Sequence, residues 1–111
     1  MDINWIISSL ECKTNENGLT NVVYKVYWKC IATLIDRGTE YTAEMHGPLE
    51  IAPPNPDNFT PYESLTKEQV VTWVKDEFGV EKTQEIYDFL QNNIGEQINP
   101  TTVVLAPPFE N

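Results

Sequence analysis

Basic residues are scarce in this sequence. Seven Lys and Arg stand against 17 Asp and Glu among 111 residues, which gives a formal net charge of −10 at pH 7. A protein that binds nucleic acid through its bulk charge needs Lys and Arg to neutralise phosphates, and docking on an anionic membrane surface needs the same residues. We therefore expect neither direct nucleic-acid binding nor binding to a membrane.

Long hydrophobic runs are also missing. No stretch approaches the ~18 apolar residues that a membrane-spanning helix needs. The opening residues Met1 to Asn4 contain no basic residue of the kind that begins a secretory signal peptide, so no such signal is expected. The length predicts a single domain, 1–111, large enough to bury one core.

The residues that most often carry chemistry are few. His46 is the only histidine, so it has no second imidazole for a metal site or a proton relay, and we expect it to be exposed on a strand. The chain has no Gly-rich phosphate loop, no Gly-x-Ser-x-Gly and no Cys-x-x-Cys motif. We expect no catalytic residues, no cofactor and no bound metal, and hence no enzyme.

The first half of the chain is predicted to form strands. From Val22 to Leu34 the even positions are apolar or amphipathic, a period of two that is typical of a strand. Asn17-Gly18 before this strand and Arg37-Gly38 after it are signals for tight hairpin turns. Together they predict a three-stranded antiparallel meander over residues 2–52.

The two turns also predict a register. Trp5, Cys30 and Met45 should form one row across the sheet, with Ile7, Trp28 and Gly47 in the next. Cys12 should lie opposite Val23 on the outer face, whereas Cys30 points into the core. That separation exceeds the Cα distance of ~4.4–6.8 Å in a disulfide, so both cysteines are predicted to be free thiols. Neither has a histidine near it in sequence to activate it as a nucleophile.

The second half is predicted to be a loop followed by helices. A Pro-rich loop should occupy 53–65, two helices 66–99, and an extended tail 100–111. Thr66 and Gln69 form a capping box at the start of the first helix, and Gly79 is expected to end it. The sequence thus predicts an α+β domain of two layers, in which a helical hairpin covers one face of the meander.

Surplus apolar residues mark a candidate partner-binding surface. On the predicted register, Ile6, Leu10, Tyr27 and Ile31 lie on the outer sheet face, which is usually polar in such a domain. The tail adds Val103, Leu105 and Phe109. This tail could cover the outer face of its own sheet, or the outer face, the tail or both could dock on another subunit. Both alternatives stay open at this point.

A set of core and turn residues, spread over nearly the whole chain, carries a resemblance to a known family. The residues that carry it are Trp5 to Cys12, Gly18 to Val23, Trp28, Tyr62, Leu65, Thr66, Glu68, Val70, Trp73, Val74 and Pro107 to Phe109. In these core and turn residues the chain resembles a family of small proteins of tailed bacteriophages, particularly those of marine cyanobacteria. The resemblance implies a phage origin rather than an activity.

Two functions are compatible with these features. The first is a non-enzymatic virion component, capsid-decorating or tail-associated, that contacts other phage structural proteins in a multi-copy assembly. The second is an acidic early protein, acting in the host cytoplasm, that inhibits a host nucleic-acid enzyme by DNA mimicry. The second rests on the net charge and on the acidic run from Asp76 to Asp88. The spacing of that run is also what a solvated helix face shows, so we favour the first.

Overall fold

The computed structural model describes all 111 residues and has a single three-stranded antiparallel sheet in the order β1-β2-β3. The elements are β1 (Asp2–Glu16), β2 (Leu19–Asp36), β3 (Thr39–Glu50), short 3-10 helices at Pro56–Asn58 and Tyr62–Ser64, and α1 (Lys67–Ile98). The predicted α+β class and the predicted meander are confirmed. Neither α1 nor the short helices combine the length and the apolar character needed to cross a membrane.

Both predicted turns are present. Asn17 and Gly18 have φ of 51° and 83°, and Arg37 and Gly38 have φ of 52° and 81°. Positive φ at both central residues defines the turn whose twist matches that of the flanking strands. The rows Trp5–Cys30–Met45 and Ile7–Trp28–Gly47 form as predicted, because these turns set the pairing.

Between β1 and β2 the register contains two irregularities that compensate each other. Ile7 pairs with Trp28 but Ser9 pairs with Tyr27, so Ser8 is an extra residue in β1. Further along, Glu11 pairs with Lys25 but Cys12 pairs with Val23, so the extra residue there belongs to β2. Between the two bulges the pairing is shifted by one residue, and outside them the predicted register returns.

These bulges overturn part of the predicted face assignment. Leu10 and Cys12 were expected on the outer face, but both pack against the core. Val23, also expected outside, is 6% exposed and belongs to the core cluster. One inserted residue moves every following side chain of a strand to the other face, and neither turn reveals it.

Tyr24 shows the same effect in reverse. It belongs to the even positions that were expected to face the core. Instead its ring lies 5.5 Å from the ammonium nitrogen of Lys13 and 5.8 Å from that of Lys25, measured to the ring centroid. The bulge in β2 therefore places this aromatic ring among surface lysines, where cation–π contacts are available to it.

The predicted helical hairpin is wrong, because the structure has one helix. Gly79 has φ 81° and ψ 169°, which interrupts the helical backbone and kinks α1 without a loop. Contacts follow one direction along the sheet: Phe78 packs on Trp28, and Gln97 Nε2 donates to the carbonyl oxygen of Thr42 at 2.8 Å. A reversal of direction would need several connecting residues, and none separate the two halves of α1.

One face of the sheet carries the core. Trp28 is 5% exposed and packs against Trp5, with ring centroids 5.7 Å apart. The buried residues of α1 on this face are Val70, Val74, Ile86, Leu90 and Ile94. Gly47 lies beside the Trp28 ring, where a Cβ would make ordinary van der Waals contact with Cζ2 at 3.8 Å. The helix therefore covers the face on which the predicted rows converge.

The molecule is elongated. Its dimensions are 66 × 38 × 24 Å and its radius of gyration is 19.3 Å, whereas a compact domain of this length has about 13 Å. Three features account for the difference: the long strands, the helix α1 that runs in one direction along the sheet, and the extended tail. An elongated chain with one covered sheet face leaves the other face available to solvent or to a partner.

Candidate interaction surface

The outer sheet face carries three of the predicted partner-binding residues. Lys29 pairs with Ile6 on one side and with His46 on the other. Tyr27 and Ile31 flank Lys29 on β2 and share its face, because alternate residues of a strand point the same way. Ile6, Tyr27 and Ile31 are all partly exposed, and α1 packs on the opposite face. We call these three residues the outer patch.

Polar pairs surround the outer patch. Tyr27 Oη donates a hydrogen bond to Glu11 Oε1 at 2.9 Å, and this bond to a carboxylate raises the pKa of the Tyr27 phenol. Lys29 Nζ lies 3.7 Å from Glu44 Oε2. His46 is exposed, as expected. Apolar groups separated by ordered polar pairs are typical of surfaces that bind partners without being obligate interfaces.

Leu10 does not belong to the outer patch. The bulge at Ser8 turns its side chain toward the core, where it packs among the partly buried residues. It pairs with Val26, which is fully buried. The expectation that Leu10 lies on the outer face is therefore wrong, because its side chain packs against the core of its own domain.

The tail lies free of the sheet. Every residue from Asn99 to Asn111 is exposed, and the exposed fractions of Val103, Leu105 and Phe109 are 74%, 77% and 66%. Its link to the domain is at Thr101, whose backbone N–H and hydroxyl both donate to the Glu96 carboxylate. These bonds lower the pKa of Glu96. In this structure the tail does not cover its own outer face.

The two cysteines are free, as predicted, although the reason is different. Both lie on the inner face, but Cys12 pairs with Val23 and Cys30 with Trp5. Val23 and Cys30 are seven residues apart on β2, or about 23 Å at the usual rise of a strand. Burial raises the pKa of the Cys30 thiol to about 11, partly offset by Lys75. Burial also raises the pKa of Cys12.

A cavity of about 350 Å³ was not predicted from the sequence. It lies where the start of β2, the Pro-rich loop and the first turns of α1 meet. We name it the Trp73 cavity after the aromatic residue that lines it, together with Phe59, Gln69, Asp76 and Glu77. The sequence held one signal for it: Gln69, Trp73, Asp76 and Glu77 recur at helical spacing and form one stripe of α1.

No group of three or more His, Cys, Asp or Glu side chains is arranged to hold a metal ion. The fold and the exposed surfaces define a class: a two-layer α+β domain with one uncovered sheet face and an exposed apolar tail. Within that class the chain belongs to the family described as domain of unknown function DUF7936, whose model matches residues 1–109. No curated protein and no solved structure matches the chain.

Proposed function

We propose that this protein is a non-enzymatic structural subunit of a phage particle, capsid-decorating or tail-associated, present in many copies. The outer patch and the tail would contact other phage structural proteins, and the protein would reside in the virion. The phage assignment rests on the resemblance in core and turn residues described above. The docking assignment rests on the exposed surfaces.

The exposed tail is the observation that carries the proposal. Val103, Val104, Leu105 and Phe109 are each at least 66% exposed within a short segment. Consecutive apolar side chains left in water usually mark a surface that is buried on a partner. Pro107 and Pro108 keep the backbone extended, so that docking orders little additional chain and costs less entropy.

The outer patch supports the same function. Tyr27 and Ile31 occupy the central strand of the uncovered face, and the Tyr27–Glu11 bond holds the ring in place before any partner arrives. Aromatic residues with an ordered polar end are frequent anchors in interfaces. The elongated sheet presents this patch on a broad, open face, which suits lateral contact between subunits.

DNA mimicry by an early protein in the host cytoplasm is the second candidate, based on the net charge of −10. It requires rows of free carboxylates at phosphate spacing. In the acidic run of α1, Glu85 Oε2 lies 3.7 Å from Lys82 Nζ, and Asp88 Oδ1 accepts from Gln84 Nε2 at 3.0 Å. These local partners break the row, so the virion function is favoured.

Incorporation into particles tests the proposal. Purified particles of the phage that carries this gene should contain the protein by mass spectrometry, in many copies per particle. Deletion of 103–111, or Tyr27→Ser with Ile31→Ser, should reduce its occupancy at least about tenfold, because hot-spot side chains each contribute ~2 kcal/mol or more. Both variants should keep the wild-type circular dichroism spectrum.

A matched control separates docking from general hydrophobicity. Val80 is 87% exposed but belongs to α1, which packs on the other face of the sheet from the outer patch, so Val80→Ser should leave occupancy unchanged. Absence of the protein from particles would reject the virion function. Wild-type occupancy of both docking variants would show that neither the tail nor the outer patch holds the protein on the particle. Tight, salt-sensitive binding to a host nuclease or polymerase would favour the second candidate instead.

A further inference from the structure

We propose that the Trp73 cavity binds an alkylguanidinium group, the chemistry of an arginine side chain. The cavity is separate from the outer patch and from the tail, and this inference does not rest on the proposed function. Three observations carry it: the shape of the cavity, the stripe of side chains that α1 presents to it, and the charge of its lining.

The cavity has the size of a ligand site. Its volume of about 350 Å³ lies within the ~300–1,000 Å³ of small-molecule pockets. Apolar side chains of Val22, Val23, Ile51 and Leu65 contribute to its wall. Val22 and Val23 are 1% and 6% exposed, so that part of the wall is supported by the sheet. A methylene stem can pack on the partly exposed Ile51 and Leu65 of this wall while its charged end reaches the polar residues.

One stripe of α1 supplies those polar residues. Gln69, Trp73, Asp76 and Glu77 follow one another at spacings of four, three and one residues. Side chains three or four residues apart on a helix are neighbours, with Cβ atoms about 5–6 Å apart. Trp73 therefore neighbours Asp76 and Glu77 on the helix surface and lines the same cavity, and Phe59 from the Pro-rich loop adds a second aromatic ring to the lining.

The charge of the lining is uncompensated. The ion pairs of the structure use the carboxylates of Glu16, Glu44 and Glu85, and none involves Asp76 or Glu77. No Lys, Arg or His lines the cavity. A cation in the cavity would neutralise these adjacent carboxylates and would also be attracted to the faces of the aromatic rings. The lining thus selects a positively charged ligand over a neutral or anionic one.

A guanidinium fits this lining better than an ammonium. It presents five N–H donors in a plane, which can engage carboxylates and stack on an indole at the same time. Gln69 Nε2 donates to Thr60 Oγ1 at 2.9 Å, which holds the amide and leaves its oxygen as a further acceptor. A compact ammonium carries three donors and no flat face, so it cannot stack on the indole while it engages the carboxylates.

Titration by NMR tests the inference on the full chain. The protein has three tryptophans, and N-acetyl-argininamide should shift the indole N–H signal of Trp73 in a saturable way, with the core signals of Trp5 and Trp28 unchanged. N-acetyl-citrullinamide, which has the same shape without the charge, should bind at least about tenfold more weakly, as should N-acetyl-lysinamide. Butylguanidine, an alkylguanidinium with a single charge and no peptide group, distinguishes a small-molecule ligand from an arginine residue: tighter binding of butylguanidine than of N-acetyl-argininamide indicates the former, and weaker binding the latter.

Charge-matched variants complete the test. Asp76→Asn with Glu77→Gln should weaken binding of N-acetyl-argininamide at least about tenfold, because charge-assisted hydrogen bonds are lost. Glu40→Gln with Glu81→Gln removes the same charge at exposed positions outside the cavity lining and should leave binding within about twofold. Equal binding of the arginine and citrulline compounds, equal weakening by both double variants, or no saturable shift would each overturn the inference.

Discussion

The indole ring of Trp28 meets the ring of Phe78 edge-on, with centroids 5.2 Å apart and planes at 87°. Trp28 lies in the middle of the central strand, and Phe78 is the residue before the interruption of α1 at Gly79. Such a pair contributes ~0.5–1.5 kcal/mol beyond its buried area. The contact therefore joins the kink of the helix to the centre of the sheet, so that both halves of α1 lie along one face.

Trp28→Ala should lower the free energy of unfolding by ~3–5 kcal/mol, because it leaves a cavity between the sheet and α1. Equilibrium urea denaturation measures the change. Phe89→Ala is the control, since Phe89 is also aromatic but 51% exposed, and it should cost less than about 1 kcal/mol. If the two variants unfold at the same urea concentration, Trp28 is not central to the core.

The hairpin register was predictable from the sequence because it depends on local chemistry. Asn17-Gly18 and Arg37-Gly38 determine the pairing at the strand ends, and alternation does the rest. The bulges were not predictable from the turns. The extra residue Ser8 in β1 shifts the pairing by one, and the extra residue Tyr24 in β2 shifts it back, so the strand ends stay in the register that the turns set. Only the packing of side chains reveals the bulges. Leu10, Cys12 and Val23 reach the core because each bulge inserts one residue and so reverses the faces of the side chains beyond it.

The candidate sites divide in the same way. The exposed tail and the outer patch were predictable as apolar residues in places where burial is not expected. The Trp73 cavity was not, because it needs the Pro-rich loop to lie against α1, and that placement depends on contacts such as Gln69 with Thr60. The sequence also did not reveal that α1 is one helix running in a single direction. Gly79 was interpreted as the end of a helix, whereas it is a kink within one.

Leu10→Ala should be more destabilising than Ile6→Ala. Leu10 packs against the core and should cost ~2 kcal/mol or more on truncation. Ile6 lies on the outer face, where substitutions usually cost under about 1 kcal/mol. Both residues are on β1 and lose a comparable volume, so thermal unfolding of the two variants compares the faces directly. A larger loss of stability for Ile6→Ala than for Leu10→Ala would mean that Ile6 faces the core and that β1 has no bulge at Ser8.

Cys30 should make stability fall at alkaline pH. Its pKa is raised from 9.0 to about 11 in the folded protein, so the unfolded chain loses this proton first. The contribution of the protonated Cys30 thiol to the free energy of unfolding is complete below pH 9.0. It declines as the pH rises above 9.0 and is lost by about pH 11. Urea denaturation across this pH range should show that the free energy of unfolding declines less steeply for Cys30→Ala than for the wild type. Parallel curves for the two proteins would contradict the burial of the thiol.

Gly79 and Gly95 should respond to alanine in opposite directions, although both lie within α1. Gly79 has φ 81° and ψ 169°, a conformation open essentially only to glycine, so Gly79→Ala should cost ~1–3 kcal/mol. Nothing lies within 4 Å of a Cβ built on Gly95, and its backbone is helical, so Gly95→Ala should stabilise by up to about 1 kcal/mol. Thermal unfolding of the two variants measures both effects. Stabilisation by Gly79→Ala would mean that α1 is straight and that the Trp28–Phe78 contact does not depend on the kink.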